Sequence, residues 1–197
     1  DVLVDKATNS ASLQKPGQMV DLGGIAKGYI GDIAIEIYKK NGITSAFANL
    51  GGNVVVLGNK PDGSAWKVGI QNPRGENGEI VGVVEVADQA VVTSGDYQRY
   101  FIKDGKRYCH IIDPHTGYPA DTGLMSVTII ASSSTEADGM SKAFVLGLEK
   151  GMDLVKRYGQ AEAIFITNDK KIYVTPGLQG KFHLEDATNE YTYIQNW

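Results

Sequence analysis

The sequence predicts an α+β fold, in which a mostly antiparallel sheet is layered with a few helices in a single domain. Its 197 residues suit one domain, and a composition of 42% hydrophobic and 21% charged residues is that of an ordinary globular protein. Short apolar runs and glycine-containing turns fill the middle of the chain, as in antiparallel sheets, whereas helical periodicity occurs on either side. We therefore expect one domain over residues 1–197, without an internal repeat.

The strongest helix signal follows an extended lead-in over residues 1–20, which turns at 15–18. From Gly23 to Lys40, apolar residues recur at helical spacing, and a pair of lysines followed by Gly42 is typical of a helix C-terminus. The apolar stripe comprises Ile25, Tyr29, Ile30, Ile33, Ala34 and Ile37.

A series of strands is predicted next, bounded by turn residues such as Asp104-Gly105, which indicates a tight hairpin. The expected strands are 46–48, 54–57, 66–70, 80–86, 90–93, 100–103, 108–112 and 126–130. A second helix is expected at 135–146, with Ser134 or Thr135 as its N-cap, and a third at 151–158. The last strands are expected at 163–167, 171–175 and 191–194.

Charge and cysteine content exclude several classes of protein. The formal net charge of −4 argues against binding of a nucleic-acid backbone, and no apolar run approaches the ~20 residues that span a bilayer. The single cysteine, Cys109, excludes an internal disulfide and a Cys-cluster metal site, and we expect it to be a buried thiol. The chain begins Asp-Val-Leu-Val without an initiator Met or a signal peptide, so a mature or trimmed fragment is expected.

The first candidate site is the glycine pair before the long helix, in Val20-Asp21-Leu22-Gly23-Gly24-Ile25-Ala26-Lys27-Gly28-Tyr29. Free N–H groups at a helix N-terminus hold anions, and Lys27, one turn in, could reach a phosphate. The alternative is a simple strand-to-helix turn with an exposed lysine.

A second glycine pair lies in Ala48-Asn49-Leu50-Gly51-Gly52-Asn53. A sheet hairpin or bulge is the favoured interpretation for Asn53, whereas the amide of Asn49 could read a ring edge.

Titratable residues crowd into a third group, formed by Ser94-Gly95-Asp96-Tyr97 and His110-Ile111-Ile112-Asp113-Pro114-His115-Thr116-Gly117-Tyr118-Pro119. Histidine and aspartate are the usual general bases and metal ligands. The alternative is that His110 is a cross-strand residue and Asp113 an Asx-turn residue.

The fourth group is Thr135-Glu136-Ala137-Asp138-Gly139-Met140-Ser141-Lys142-Ala143-Phe144. Asp138 and Ser141 are three residues apart and share a helix face, so a carboxylate and a hydroxyl could jointly hold Mg²⁺. An acidic residue that only satisfies the helix dipole is the commoner explanation.

Together these motifs resemble the ordered signature of the ApbE-type FAD:protein FMN transferases, of which the chain would be the C-terminal portion. The resemblance rests on segments 21–29, 49–53, 94–97, 110–119 and 136–141. It implies a transferase that cleaves FAD, attaches FMN to a threonine hydroxyl of a target protein and releases AMP. Mg²⁺ would be the metal, FAD the substrate, and a redox-complex subunit the acceptor, with no nucleic-acid partner.

The resemblance also implies a role for individual residues. His110 would be the family's catalytically important histidine, and the metal would be held by Gly24 and Asp138. The threonine hydroxyl needs an acceptor for its proton, for which His110 and Asp113 are both candidates. The remaining positions that would contact FAD are Asp21, Lys27, Asn49, Ser94, Gly95, Ile112 and Thr116.

One position departs from the family pattern. The family commonly has Thr four residues after the metal Asp, where this chain has Lys142. Either Ser141 supplies the hydroxyl ligand after a small register change, or Lys142 places an ammonium at the metal site and weakens Mg²⁺ binding.

Other functions remain open at this point. The same site could hydrolyse FAD to FMN and AMP, or bind FAD without catalysis; a purely structural role leaves the polar glycine-rich segments unexplained. Since the family usually works outside the cytoplasmic membrane, often as a lipoprotein, we expect an extracytoplasmic, membrane-associated protein whose anchor lies outside this chain.

Overall fold

The strands and helices are taken from a computed structural model, which describes residues 2–194. The strands are β1 (Val2–Asp5), β2 (Ser10–Leu13), β3 (Ala46–Leu50), β4 (Asn53–Leu57), β5 (Trp66–Gln71), β6 (Ile80–Val86), β7 (Ala90–Gly95), β8 (Tyr100–Lys103), β9 (Lys106–Cys109), β10 (Leu124–Ala131), β11 (Ala161–Thr167), β12 (Lys171–Val174), β13 (Phe182–Leu184) and β14 (Thr192–Ile194). The helices are α1 (Ala26–Lys40), α2 (Ser134–Met140) and α3 (Gly147–Tyr158), with 3₁₀ segments at Ser141–Leu146 and Pro176–Leu178.

A seven-stranded sheet in the order β14-β12-β11-β10-β7-β4-β3 forms the middle layer. Its pairings are antiparallel except that β12 and β14 run parallel. Every residue of the central strand β10 is buried. Alternate side chains enter different cores: Ile129 packs with Ala137 and Phe144 on the helical side, whereas Ile130 packs with Val84 on the side of the three-stranded sheet β13-β6-β5. The predicted α+β class is thus confirmed.

Helix α1 differs from the prediction in its start and in its buried face. It begins at Ala26, since residues 22–25 form a turn in which the Leu22 carbonyl accepts the Ile25 N–H. Much of the apolar stripe is exposed rather than packed, as Tyr29 at 59% exposure shows. The buried residues of α1 are Gly28 and Gly31. A Cβ at Gly28 would lie 2.4 Å from the Ser134 carbonyl oxygen, so glycine allows α1 to approach α2 this closely.

The N-terminus of α2 is capped by Ser133, one residue before the predicted caps. The Ser133 hydroxyl accepts the Glu136 N–H. A second cap comes from α1, where the Asp32 carboxylate accepts the N–H groups of Ser134 and Thr135 at 2.7 and 2.9 Å. The second helix tightens into the 3₁₀ segment after residue 140, and the third starts at 147 instead of 151.

The hairpins follow the turn residues. Asp104 and Gly105 both adopt positive φ and join β8 to β9, as predicted. The strand expected at 108–112 ends at Cys109, ahead of a turn that contains Pro114. Strand β13 has no strong apolar run and was not predicted.

The N-terminal lead-in is only partly a strand region. Residues 2–13 of the expected extended lead-in form the β1–β2 hairpin, whereas residues 14–20 lie outside the strands. Asp1 and residues 195–197 fall outside the described part of the chain. Within residues 2–194, no helix has the length and apolar character needed to cross a bilayer.

Candidate functional site

A cleft of about 2020 Å³ brings together most of the predicted site residues. Those that line it are Asp21, Gly24, Lys27, Asn49, Ser94, His110, Ile112, Asp113, Asp138 and Lys142. Gly95, Thr116 and Ser141 do not line it. The segments contributing these residues are distant in sequence, so the cleft is a product of the tertiary fold.

The segment before α1 forms one wall of the cleft. The Asp21 carboxylate accepts the Gly23 N–H at 2.6 Å, an Asx-type turn that sets the entry of the chain into the helix. Lys27 follows in the first turn and faces the cleft. This wall therefore carries a cation beside a helix N-terminus, an arrangement suited to an anionic ligand.

Asp138 joins the two helices at the floor of the cleft. Its Oδ2 accepts the Gly28 N–H at 2.9 Å, and its Oδ1 accepts from Lys142 Nζ at 3.1 Å. The residue is 2% exposed, so both carboxylate oxygens are satisfied within the protein. Because α1 and α2 both depend on this carboxylate, its position is fixed by the fold.

The Lys142 ammonium is surrounded by oxygen atoms. Besides Asp138 Oδ1, Nζ donates to the Asp138 carbonyl and to Ser141 Oγ, each at 3.0 Å, and lies 3.4 Å from Ser94 Oγ. Its Cε lies next to Gly24, where a Cβ would be at 3.2 Å. The residues implied as metal ligands thus converge, and an amino group lies among them.

Ser94 and Ser141 form the buried support of this cluster. Their hydroxyls are 2.7 Å apart, and Ser141 Oγ also donates to the Asp138 carbonyl at 2.7 Å. Ser141 is fully buried. Gly95 follows Ser94 and is covered by Tyr97, whose ring atom would lie 2.4 Å from a Cβ at this position.

His110 lines the cleft immediately after the end of β9. Its backbone N–H donates to the Arg99 carbonyl at 2.9 Å, and its side chain is exposed. Partial desolvation lowers the pKa of His110 below its ordinary value, and the positive charges of Arg99, Lys142 and Lys27 lower it further. Together these effects outweigh a hydrogen bond to the Arg99 backbone, which favours the charged imidazole. At neutral pH the imidazole is therefore uncharged and able to accept a proton.

The turn after His110 is held by its own polar side chains. Asp113 Oδ1 accepts the His115 N–H at 2.9 Å, so the Asx-turn interpretation of Asp113 is correct. Ile112 forms a single bridge with Pro119 and is 49% exposed to the cleft. Thr116 Oγ1 accepts the Tyr118 N–H on the outer side of the turn.

The second glycine pair forms the β3–β4 hairpin. Gly51 and Gly52 have φ of 62° and 98°, and Asn49 Oδ1 accepts the Gly52 N–H at 2.9 Å. The hairpin expected for Asn53 is observed, yet this residue also faces the cleft with its amide Nδ2 buried and without a partner.

Three arginines of the cleft were not singled out in the sequence. Arg74 pairs with Asp96 through two 2.7 Å hydrogen bonds, and Arg107 stacks on the Tyr100 ring at 3.6 Å. Arg99 also lines the cleft. In the sequence, Arg99 could have been noticed only because it lies two residues after segment 94–97. Nothing in the sequence connects Arg74 with that segment.

The cleft is suited to an anion more than to a metal ion. Among the described residues, no group of three or more His, Cys, Asp or Glu side chains could hold a metal. The implied ligand set does converge, through Gly24, Asp138 and Ser141, but the ammonium of Lys142 lies among its oxygen atoms. With Lys142 in this position, the residues do not fit Mg²⁺.

The chain is similar to known proteins both in sequence and in fold. Residues 1–165 match the ApbE family. The FAD:protein FMN transferases of Klebsiella pneumoniae and Treponema pallidum are each 40% identical to the chain, over 188 and 190 residues. These matches cover 95% and 92% of the chain but 58% and 52% of the relatives, so the chain spans about half the length of these curated relatives.

Solved structures of ApbE proteins are also similar to this chain. The ApbE protein of Thermotoga maritima has a TM-score of 0.82 at 36% identity, over 91% of this chain and 58% of that one. The flavin transferase ApbE of Vibrio cholerae has a TM-score of 0.79 at 31% identity, over 91% of this chain and 57% of that one. Since the family match and the common fold both extend over most of its length, the chain belongs to the ApbE family.

Proposed function

We propose that this chain forms the FAD-binding and catalytic portion of an enzyme that transfers FMN from FAD to a threonine hydroxyl of a protein and releases AMP. The observation that carries the proposal is the convergence of segments 21–29, 49–53, 94–97, 110–119 and 136–141 on one cleft. The names of the relatives, FAD:protein FMN transferase, support the same reaction.

The pyrophosphate of FAD is the part of the substrate that matches the charges of the cleft. Lys27, Arg99 and Lys142 face the cleft from separate elements. Cations placed around the two phosphates neutralise the charge that builds up on the departing AMP. The unpartnered amide of Asn53 offers a further donor to a polar part of the ligand.

The transfer exchanges one P–O bond for another. The threonine oxygen attacks the FMN phosphorus, the bond from that phosphorus to the bridging oxygen breaks, and the bridging oxygen leaves with AMP. The threonine proton needs an acceptor, which neutral His110 provides on the exposed side of the cleft. Asp113, whose Oδ1 holds the turn, is the second acceptor within this loop.

Mg²⁺ is the metal that the family resemblance implies, and the proposed step does not use it. Because the Lys142 ammonium lies among the expected ligand oxygens, the proposed step uses the side chains of the chain and is not routed through a metal.

The acceptor and the location follow from the resemblance alone. We propose a redox-complex subunit outside the cytoplasmic membrane as the acceptor, and a membrane-associated lipoprotein as the full protein. Recovery of the full-length protein in the cytosolic fraction would contradict this location.

The test is incubation of the chain with FAD, with and without a threonine-containing acceptor protein. Transfer gives AMP together with a fluorescent acceptor whose mass increases by one FMN, and the threonine-to-alanine acceptor stays unlabelled. AMP and free FMN without acceptor would indicate FAD hydrolysis by the same site. FAD binding without AMP release would show that the chain only binds the flavin nucleotide, and no binding would refute the proposal.

A further inference from the structure

The Lys142 amino group occupies the position of a bound cation. Four oxygen atoms approach Nζ at 3.0–3.4 Å: the carbonyl and Oδ1 of Asp138, Ser141 Oγ and Ser94 Oγ. An ammonium group has three donors and no acceptor, so a shell made only of oxygen acceptors matches its chemistry. The oxygen atoms around Nζ therefore form a binding site that suits an ammonium group.

A divalent ion would compete with this ammonium for the same oxygens. Mg²⁺ binds its oxygen ligands at about 2.0–2.1 Å, whereas Nζ already lies close to the Asp138 and Ser141 oxygens that it would need. Both cations would have to share one buried carboxylate, since the Asp138 side chain is 3% exposed. Like charges at such separations repel, so the ammonium and a divalent ion would exclude each other from this carboxylate.

We propose that Lys142 replaces the divalent metal of this site, so that the chain binds and cleaves the FAD pyrophosphate without Mg²⁺. This inference rests on the proposed function for its substrate. The Lys142 side chain is 39% exposed and lines the cleft, so its ammonium faces both the Asp138 carboxylate and an incoming ligand.

The role of Lys142 in the step is electrostatic. The ammonium exchanges its 3.4 Å contact with Ser94 Oγ for a pyrophosphate oxygen, and it stabilises the negative charge that develops on the bridging oxygen as the P–O bond breaks. It keeps its own protons, because the threonine proton goes to the loop that carries His110. The bonds and protons therefore balance without a metal-bound species.

The first test measures the metal requirement of the unaltered chain. Mn²⁺, as an electron paramagnetic probe, should remain in its free form at millimolar concentration in the presence of the chain. FAD binding and AMP release should change less than about twofold between EDTA and Mg²⁺, because the local positive charge comes from a side chain. Tight Mn²⁺ binding, or AMP release abolished by EDTA, would overturn the proposal.

The second test introduces the hydroxyl that the family commonly has at this position. Lys142→Thr removes the ammonium and leaves the Asp138 carboxylate without its cation, so the variant should bind Mn²⁺ and melt at a higher temperature when Mg²⁺ is added. In EDTA its AMP release should fall by roughly a hundredfold, and Mg²⁺ should restore it. Lys156→Thr, an exposed lysine of α3, is the matched control and should behave like the unaltered chain.

Two outcomes separate this inference from the proposed function. Absence of FAD binding and AMP release under every metal condition would refute the function, while the Mn²⁺ titration would still decide whether Lys142 excludes a divalent ion. If Lys142→Thr does not fold, the Mn²⁺ and EDTA measurements on the unaltered chain decide the matter alone.

Discussion

His110 is the residue whose charge state links the cleft to pH. Since burial and neighbouring cations lower its pKa, the neutral form that accepts a proton persists to lower pH than for an ordinary histidine. The FMN-transfer rate should rise as pH increases through this lowered pKa and then level off. The measurement is the pH dependence of transfer between about pH 5 and pH 8.

Substitution of the same residue gives a sharper result. His110→Gln should lower the transfer rate by roughly a hundredfold and remove the acidic limb of the profile, because the proton acceptor is lost. His183→Gln is the control, since this exposed histidine lies beside Glu85 on a different face of the fold. If His110→Gln leaves the transfer rate unchanged, the proton of the threonine hydroxyl must be accepted by Asp113 or by solvent.

For single residues, the sequence indicated which side chains are chemically reactive or charged. Their contacts depend on the fold. Asp138 and Lys142 are four residues apart on one helical segment, so their pairing could be anticipated from spacing. Local reasoning could not find the contact of Asp138 with Gly28, which connects positions 110 residues apart. Tertiary contacts of this kind leave no periodic signal.

At the scale of elements, α1 acts as the N-terminal cap of α2 through Asp32. Burial would raise the pKa of Asp32, but hydrogen bonds from Thr135, Ser134 and Ser133 outweigh it and hold the pKa below the ordinary value of 3.8. Asp32→Asn should lower the free energy of unfolding by about 1 kcal/mol at neutral pH, because the charged acceptor of the helix N–H groups is lost.

The stabilisation that the Asp32 carboxylate provides should decrease as the pH falls. A depressed carboxyl pKa stabilises the fold above the pKa of the unfolded chain, and the benefit is lost as pH falls through the folded-state pKa. Urea unfolding should therefore show the difference between Asp32→Asn and the unaltered chain shrinking below pH 3.8. The exposed Asp153→Asn on α3 is the control, expected within about 0.5 kcal/mol at all pH values.

Gly28 decides how closely α1 and α2 approach. Gly28→Ala places a Cβ 2.4 Å from the Ser134 carbonyl and 2.6 Å from Asp138 Cβ, so the helices must separate. We expect a loss of about 1–3 kcal/mol in thermal unfolding, as for other overpacked sites. Gly139→Ala meets only Ile25, at 3.8 Å, and should be neutral or stabilise by up to about 1 kcal/mol. Equal melting temperatures of the two variants would contradict this packing.

The helices show where sequence reasoning at this scale failed. Apolar periodicity predicted the existence of α1, but its buried face is made by Gly28 and Gly31. Periodicity counts large apolar residues, whereas close helix packing selects the smallest ones. Strand β13 was missed for a related reason: only Phe182 of its three residues is buried, so the strand has too little pattern to be recognised.

At the scale of the whole molecule, positive charge is concentrated in the cleft although the chain carries a net charge of −4. Several cations line the cleft, among them Lys27 and Arg99. The affinity for FAD should fall severalfold when the Debye length shrinks from about 10 Å in 0.1 M salt to about 3 Å in 1 M salt. Flavin fluorescence titrations would measure this dependence.

Riboflavin is the control for this salt dependence, because it has the same ring system without phosphates. Its affinity should be nearly independent of salt. Parallel weakening of FAD and riboflavin would place the binding energy in the ring rather than in the pyrophosphate.

The layered architecture could be predicted from patterns alone, since alternation and helical spacing occur in separate parts of the chain. The strand order of the large sheet, in which β10 lies between β7 and β11, could not. That order places β7 against helix α2, and with it Ser94 at the cleft, whereas His110 reaches the same cleft from the end of the separate β8–β9 hairpin. The sequence motifs therefore named many of the residues that line this cleft, whereas the contacts that bring them together are a product of the tertiary fold.

The double attachment of Asp138 also restricts how this site can evolve. If Lys142 is replaced first, a buried carboxylate loses its cation; if Asp138 is replaced first, the Gly28 N–H and the ammonium both lose their acceptor. Each single change therefore passes through a less stable protein unless a metal ion is available to compensate. Positions 138 and 142 should accordingly show strong epistasis, and lineages should change the residue at 142 while keeping the aspartate.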